Sequence, residues 1–159
     1  MHIFATLARG GPDLFRGWLR FGGALLSGSL PARLRELVIL RTAYRFDGRY
    51  EWAQHLEIGA AQGVTPSEMV ALGGDLGSVE WSELELASLR AVDDTADCGA
   101  VTDATWETLA VHLDERALIE LLMLIAHYMM LTTVLRSLRI ELEPRAEAMA
   151  RSVDAGPMV

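Results

Sequence analysis

Residues 118–135 are apolar almost without interruption, from Leu118 through the Leu121-Leu122-Met123-Leu124-Ile125 run to Val134-Leu135. In helical form such a stretch is apolar on every side, so at least two of its faces must be covered by other protein. Its most apolar part, 121–135, is shorter than the roughly 20 residues a membrane span needs, and His127 interrupts it. The stretch therefore predicts a buried helix in a bundle of helices. A single domain of 159 residues rarely covers both faces of such a helix alone, so a homo-oligomer is the natural second cover.

Helical periods dominate the remaining chain, with no strand alternation. The expected fold is an all-α compact helical bundle of about six to seven helices. Pro12 opens a helix to about residue 27, which the Gly22-Gly23 pair bends or breaks. A second helix runs over 31–46. Asp47 is placed to cap a third, whose stripe Trp52, Leu56, Gly59, Ala60 and Gly63 admits a close neighbour and closes at Gly63. Thr65-Pro66-Ser67-Glu68 and Ser82-Glu83-Leu84-Glu85 are capping boxes. The first opens a short helix to Gly73-Gly74, the second a helix to about Ala96. Thr102 or Asp103 caps a helix to His112, and the long helix spans 114–138. The chain divides into an N-terminal helical extension (1–29), a helical domain (30–144) and a polar tail (145–159) that frays after about residue 150.

Composition removes several functions. The net charge of -8, with no basic cluster to offset it, argues against nucleic-acid binding. Cys98 is the only cysteine, which excludes an intrachain disulfide and a cysteine zinc site. Asp93, Asp94 and Asp97 beside it disfavour a thiolate. The N-terminus has no signal-peptide pattern, and the expectation is a cytoplasmic protein with no membrane partner.

The candidate chemistry lies between residues 36 and 55. Glu51 and His55 are four apart and share one helical face. Glu36, one helix earlier, has apolar Ile39 and Leu40 as its helical neighbours. It therefore points into or beside the core, where a carboxylate needs a partner or a raised pKa. Across the intervening turn, Glu51 and His55 are its candidate partners. On periodicity alone, an ordinary helix pair of Glu51 with His55 and a structural Glu36 explain these residues better than a proton relay does. Two carboxylates and one histidine could also hold a metal, but the spacing is far weaker than a zinc motif. Arg41, Tyr44 and Tyr50 crowd the same junction. Arg41 is a candidate anchor for a substrate carboxylate, while Tyr44 and Tyr50 are candidates to line a pocket. Tyr50 reads equally as a core tyrosine. His127 and Tyr128 could face the pocket from the long helix, although a hydrogen-bonded core histidine is the commoner outcome at such a position.

The 36–55 stretch resembles the core motif of the carboxymuconolactone decarboxylase family, which includes the alkyl hydroperoxidase D branch. The redox branch has a glutamate, a Cys-x-x-Cys and a histidine four residues after the second cysteine. Here the glutamate is Glu36 and the histidine His55, and the cysteine positions fall on Gly48 and Glu51. The segment Ile119 to Tyr128, followed by residues 138–144, is similar to the family's last helix, so the resemblance spans roughly 30–144. It implies an all-helical fold, assembly as trimers or hexamers, and a proton relay of Glu36, Glu51 and His55. Thiol peroxidase chemistry is disfavoured by the missing cysteines. The expected function is a cofactor-independent acid–base enzyme, a decarboxylase or related lyase or isomerase, acting on a small carboxylated, lactone-like or unsaturated substrate. The alternative is a non-catalytic oligomer that binds a small molecule.

Overall fold

The computed structural model describes residues 2–153, and all regular structure within them is helical. In chain order the α-helices are α1 (His2–Leu7), α2 (Pro12–Leu26), α3 (Ala32–Arg45), α4 (Arg49–Ala61), α5 (Pro66–Leu72), α6 (Glu83–Cys98), α7 (Asp103–His112), α8 (Glu115–Ser137) and α9 (Pro144–Ser152). Nine helices among the described residues replace the expected six to seven. The additions at the two ends, α1 and α9, are too short to show a repeating apolar face in sequence. Residues 144–152, read as the start of a polar tail, are helical and pack on α4. Residues 154–159 of that tail lie outside the described part.

The helix at the centre is α3, which packs against α4, α6 and α8. Residues 36–43 are buried without a break, Leu37, Val38, Ile39 and Leu40 completely so. One core lies between α3 and α8, where Val38 and Ile39 meet Leu121, Leu124 and Ile125. A second lies between α3, α4 and α5, where Leu37 and Leu40 meet Trp52, Leu56 and Leu72. Gly59 lets α4 approach α3, since a Cβ there would stand 3.2 Å from Leu40 Cδ1. Both capping boxes form, and Thr102 and Asp114 cap α7 and α8. The long apolar helix is buried on one side only. Ile119, Met123 and Met130 form an exposed stripe along it. By length and composition α8 could cross a membrane, and half of its most apolar window is buried in the bundle.

Two local expectations are corrected. Asp47 does not cap α4. It takes a left-handed conformation (φ 57°) at the end of α3, and its carboxylate accepts from Arg136 at 2.9 Å, leaving Gly48 as the cap residue. Gly22-Gly23 does not break α2, which continues through both to Leu26. Its backbone there is held by the helix, and Gly22 lies against His127, where a Cβ would stand 3.5 Å from Nε2.

Candidate active site

The turn between α3 and α4 sets up the site. Glu36 is in the first half of α3, and Glu51 and His55 are successive turns of α4 on its α8-facing side. Glu36 Oε2 accepts from His55 Nδ1 at 2.7 Å, with the carboxyl almost wholly buried. That bond fixes the imidazole tautomer, so Nε2 is the ring's free acceptor. Tyr128 of α8 donates its hydroxyl to Nε2 at 3.2 Å, its ring edge-on to the imidazole. Burial raises the Tyr128 pKa, and the negative charges of Glu36 and Glu51 add to the shift, so it remains a phenol at neutral pH.

Glu51 is in a different situation. Both of its carboxyl oxygens are buried, and neither has a hydrogen-bond partner among the described residues. Burial raises its pKa to about 7, opposed in part by its own backbone N–H and the charge of His55. Thr132 Oγ1 stands nearby and favours the ionised form slightly, but geometrically neither group satisfies the other. The expected relay through all three residues therefore takes another form. His55 has both nitrogens engaged, by Glu36 and Tyr128, and Glu51 stands beside the chain as a separate acid.

Gly48 explains how so much polar matter fits. A Cβ on it would stand 2.5 Å from Thr132 Oγ1 and 2.9 Å from Glu51 Oε2. Contacts that short do not occur, so any side chain here displaces one of the two. The space beside residue 48 already holds a hydroxyl and a carboxyl.

A cavity of about 340 Å³ opens on this cluster, between α1, α2, α4 and α8. Glu51, Gln54 and His55 line it from α4, His127 and Tyr128 from α8. Tyr50 lines it too, with its hydroxyl bound to Glu143 at 2.9 Å, and burial raises its pKa to about 12. The remaining wall is apolar, including Trp18, Leu25 and Leu131.

The sequence-based candidates divide accordingly. Tyr50, His127 and Tyr128 are at the cavity with Glu51 and His55, and Glu36 is directly behind His55. Arg41 is not. Its guanidinium makes paired bonds to Asp93 at 2.8 and 2.9 Å and donates to the Leu72 and Gly74 carbonyls. It clamps α3 to α6 and α5 and is unavailable as a carboxylate anchor. Tyr44 stacks under Arg41 and beside Trp52 in the second core, also away from the cavity. His127 was expected as a hydrogen-bonded core residue. Its Nδ1 instead has no partner among the described residues, and burial lowers its pKa. Sequence reading missed Thr132, Gln54 and the contribution of α1 and α2. Thr132 was findable, since it lies one helical turn after Tyr128. Among the described residues no group of three or more His, Cys, Asp or Glu is arranged to hold a metal ion.

The all-helical bundle that carries this site is shared with known proteins. The chain belongs to the carboxymuconolactone decarboxylase family, whose model matches residues 12–94, just over half of its length. That match includes Glu36, Gly48, Glu51 and His55 and stops before α8. Several solved structures share the fold. A peroxidase-related protein from Ralstonia eutropha JMP134 with an alkylhydroperoxidase AhpD core superposes with a TM-score of 0.81 at 19% identity, covering 94% of this chain and 80% of that one. A peroxidase-related protein from Silicibacter sp. TM1040 gives 0.82 at 11% identity, with 94% and 80% covered. The debrominase Bmp8 bound to 2,3,4-tribromopyrrole gives 0.77 at 17% identity, with 91% and 79% covered. No curated protein matches the chain in sequence.

Proposed function

We propose that this protein is a cofactor-independent acid–base enzyme, a lyase or isomerase acting on a small lactone-like or unsaturated molecule. The observation that carries the reading is Glu51. It is a buried carboxyl that lines the cavity one turn from His55, with a pKa of about 7. A group so placed exchanges a proton readily at neutral pH, the condition for efficient general acid–base work. His55, whose ring Glu36 orients through Nδ1, removes a proton at Nε2, directly or through Tyr128. Glu51 delivers one elsewhere on the same molecule, which is the requirement for shifting a double bond or protonating a carbanion left by bond cleavage. Thiol-based peroxide reduction is not supported. Glycine and glutamate stand where the redox branch has cysteines, and Cys98 is exposed at the end of α6.

The test is solvent deuterium exchange. Enolisable ketones and unsaturated lactones are incubated with the protein in D₂O and followed by NMR. The expected result is exchange at carbon that falls at least a hundredfold in Glu51→Gln and His55→Ala. Exchange unaffected by both substitutions, or none across the panel, contradicts the reading and favours the alternative of a binding protein, which the mainly apolar cavity wall also suits. That a protein of this fold holds 2,3,4-tribromopyrrole supports a small ring compound as the kind of ligand. The exposed stripe of Ile119, Met123 and Met130 supports a homo-oligomer, a trimer or hexamer by the family resemblance, and light scattering on the purified protein checks it.

A further inference from the structure

We infer that the cavity selects an uncharged, largely apolar molecule bearing one hydrogen-bonding group that meets His127, and rejects carboxylates of the same shape. The inference rests on the reading of this cavity as the reaction site and narrows its substrate class.

Charge comes first. The chain has no lysine, so its permanently charged cationic side chains are its arginines, and none lines the cavity, whose histidines are His127 and the His55 already bound to Glu36. Arg41 is held by Asp93 on the far side of α3. Arg35, whose charge reaches Tyr128, donates to the Leu30 carbonyl and does not line the cavity. Arg49, Arg136 and Arg139 line a separate cleft of about 220 Å³. Tyr50 and Glu51 form the wall common to both spaces, so they stand between those arginines and anything in the cavity. The acids, by contrast, are close: Glu51 on the wall and Glu36 directly behind His55. A carboxylate entering this space would lose its hydration without gaining a permanent counter-charge and would meet two carboxyl groups, an arrangement that burial makes costly.

Shape and polarity agree. The volume is at the small end of the range for ligand pockets. The segments contributed by α1 and α2, including Phe4, Trp18 and Leu25, bring no ionisable side chain. Besides Glu51 and the Trp18 indole N–H, the lining residue with an unpartnered polar atom is His127. It is about 5% exposed, and Nδ1 has no partner among the described residues. Its ring is wedged edge-on against Phe21 and Tyr128, with Gly22 close to Nε2. A buried neutral imidazole offers either a donor or an acceptor to a carbonyl or hydroxyl and suits an uncharged ligand without a compensating charge. His127 is thus a specificity-determining residue, distinct from the proton-handling cluster.

The test compares two probes of nearly one shape, acetophenone and benzoate, by calorimetry at pH 8 on the full chain. Acetophenone is expected to bind at least thirtyfold more tightly. His127→Leu weakens acetophenone by threefold to thirtyfold, and His127→Gln, which keeps a hydrogen-bonding group, recovers most of the loss. Equal or tighter binding of benzoate overturns the inference, as does failure of acetophenone to bind at millimolar concentration or indifference of its affinity to His127→Leu. The functional reading fails separately. Neutral-probe preference with no Glu51-dependent deuterium exchange leaves the selectivity standing without the chemistry. Glu51-dependent exchange with a preference for benzoate does the reverse.

Discussion

Two buried glutamates close to one histidine stand under opposite conditions. Glu36 has its partner, the His55 Nδ1–H at 2.7 Å, and orients a ring. Glu51 is equally buried yet has no hydrogen bond, and its pKa moves to about 7. Burial alone therefore does not decide what a carboxyl does; the partner does. A paired carboxyl is structural and orienting. An orphaned one holds its proton to higher pH, because desolvation penalises its charge and nothing restores it.

The largest expected effect is at Glu36. Glu36→Gln keeps the shape but lets the amide donate to Nδ1, which turns the imidazole to the wrong tautomer. By analogy with an acid-to-amide change behind a catalytic histidine, the rate falls by about 10³ to 10⁴, measured by deuterium exchange. Glu36→Ala, which leaves His55 buried without its partner, lowers stability by roughly 3 kcal/mol, measured by urea denaturation. If Glu36→Gln leaves exchange intact, the division of roles between the two carboxyls is wrong.

Glu51→Gln is expected to move activity and stability in opposite directions. In the unfolded chain Glu51 has its ordinary value near 4.5, and folded it is near 7. Between these values the folded state holds more protons. The favourable contribution is complete below 4.5 and is lost as pH rises through 7. Glutamine cannot lose a proton, so Glu51→Gln is more stable than the wild type at pH 8, by up to about 3 kcal/mol, and the gain disappears below pH 5. Exchange falls at least a hundredfold in the same variant. Thermal melts at pH 5 and pH 8 read the stability half.

Gly48→Ala is expected to cost about 1 to 3 kcal/mol, since it forces Thr132 or Glu51 to move. Thr132→Ala in the same chain returns part of that cost, a non-additivity read from a double-mutant cycle. The smallest effect is Tyr128→Phe. It removes the 3.2 Å donor to His55 and lowers stability by about 1 kcal/mol; a change several times larger would mean that the phenol also holds the bundle together.

The fold was readable where local physics decides it. Thr65 and Ser82 announce their helices because an N-cap and its reciprocal glutamate satisfy backbone donors without help from distant residues. The relative burial of α3 and α8 was not readable. α8 is the more apolar, yet it keeps an exposed stripe, while α3 is enclosed together with Glu36, Arg41 and Thr42. Enclosure depends on which helices pack around an element, and that is a tertiary property. Arg41 was misassigned for the same reason. Its partner, Asp93, lies 52 positions away, so a buried ion pair looked like a free anchor. The proximity of Glu36 to His55 was legible from spacing and family resemblance. The absence of a partner for Glu51 was not, because the second imidazole nitrogen is taken by Tyr128 of a distant helix.

The central claim is that Glu51 is a neutral-range acid while Glu36 serves His55. Carbon-13 NMR of the glutamate carboxyls, with the Glu51 signal assigned by its loss in Glu51→Gln, measures this directly. A Glu51 midpoint near pH 7 is the expected result. A midpoint at the ordinary value of about 4.5 would contradict it and take the acid–base role of this site with it.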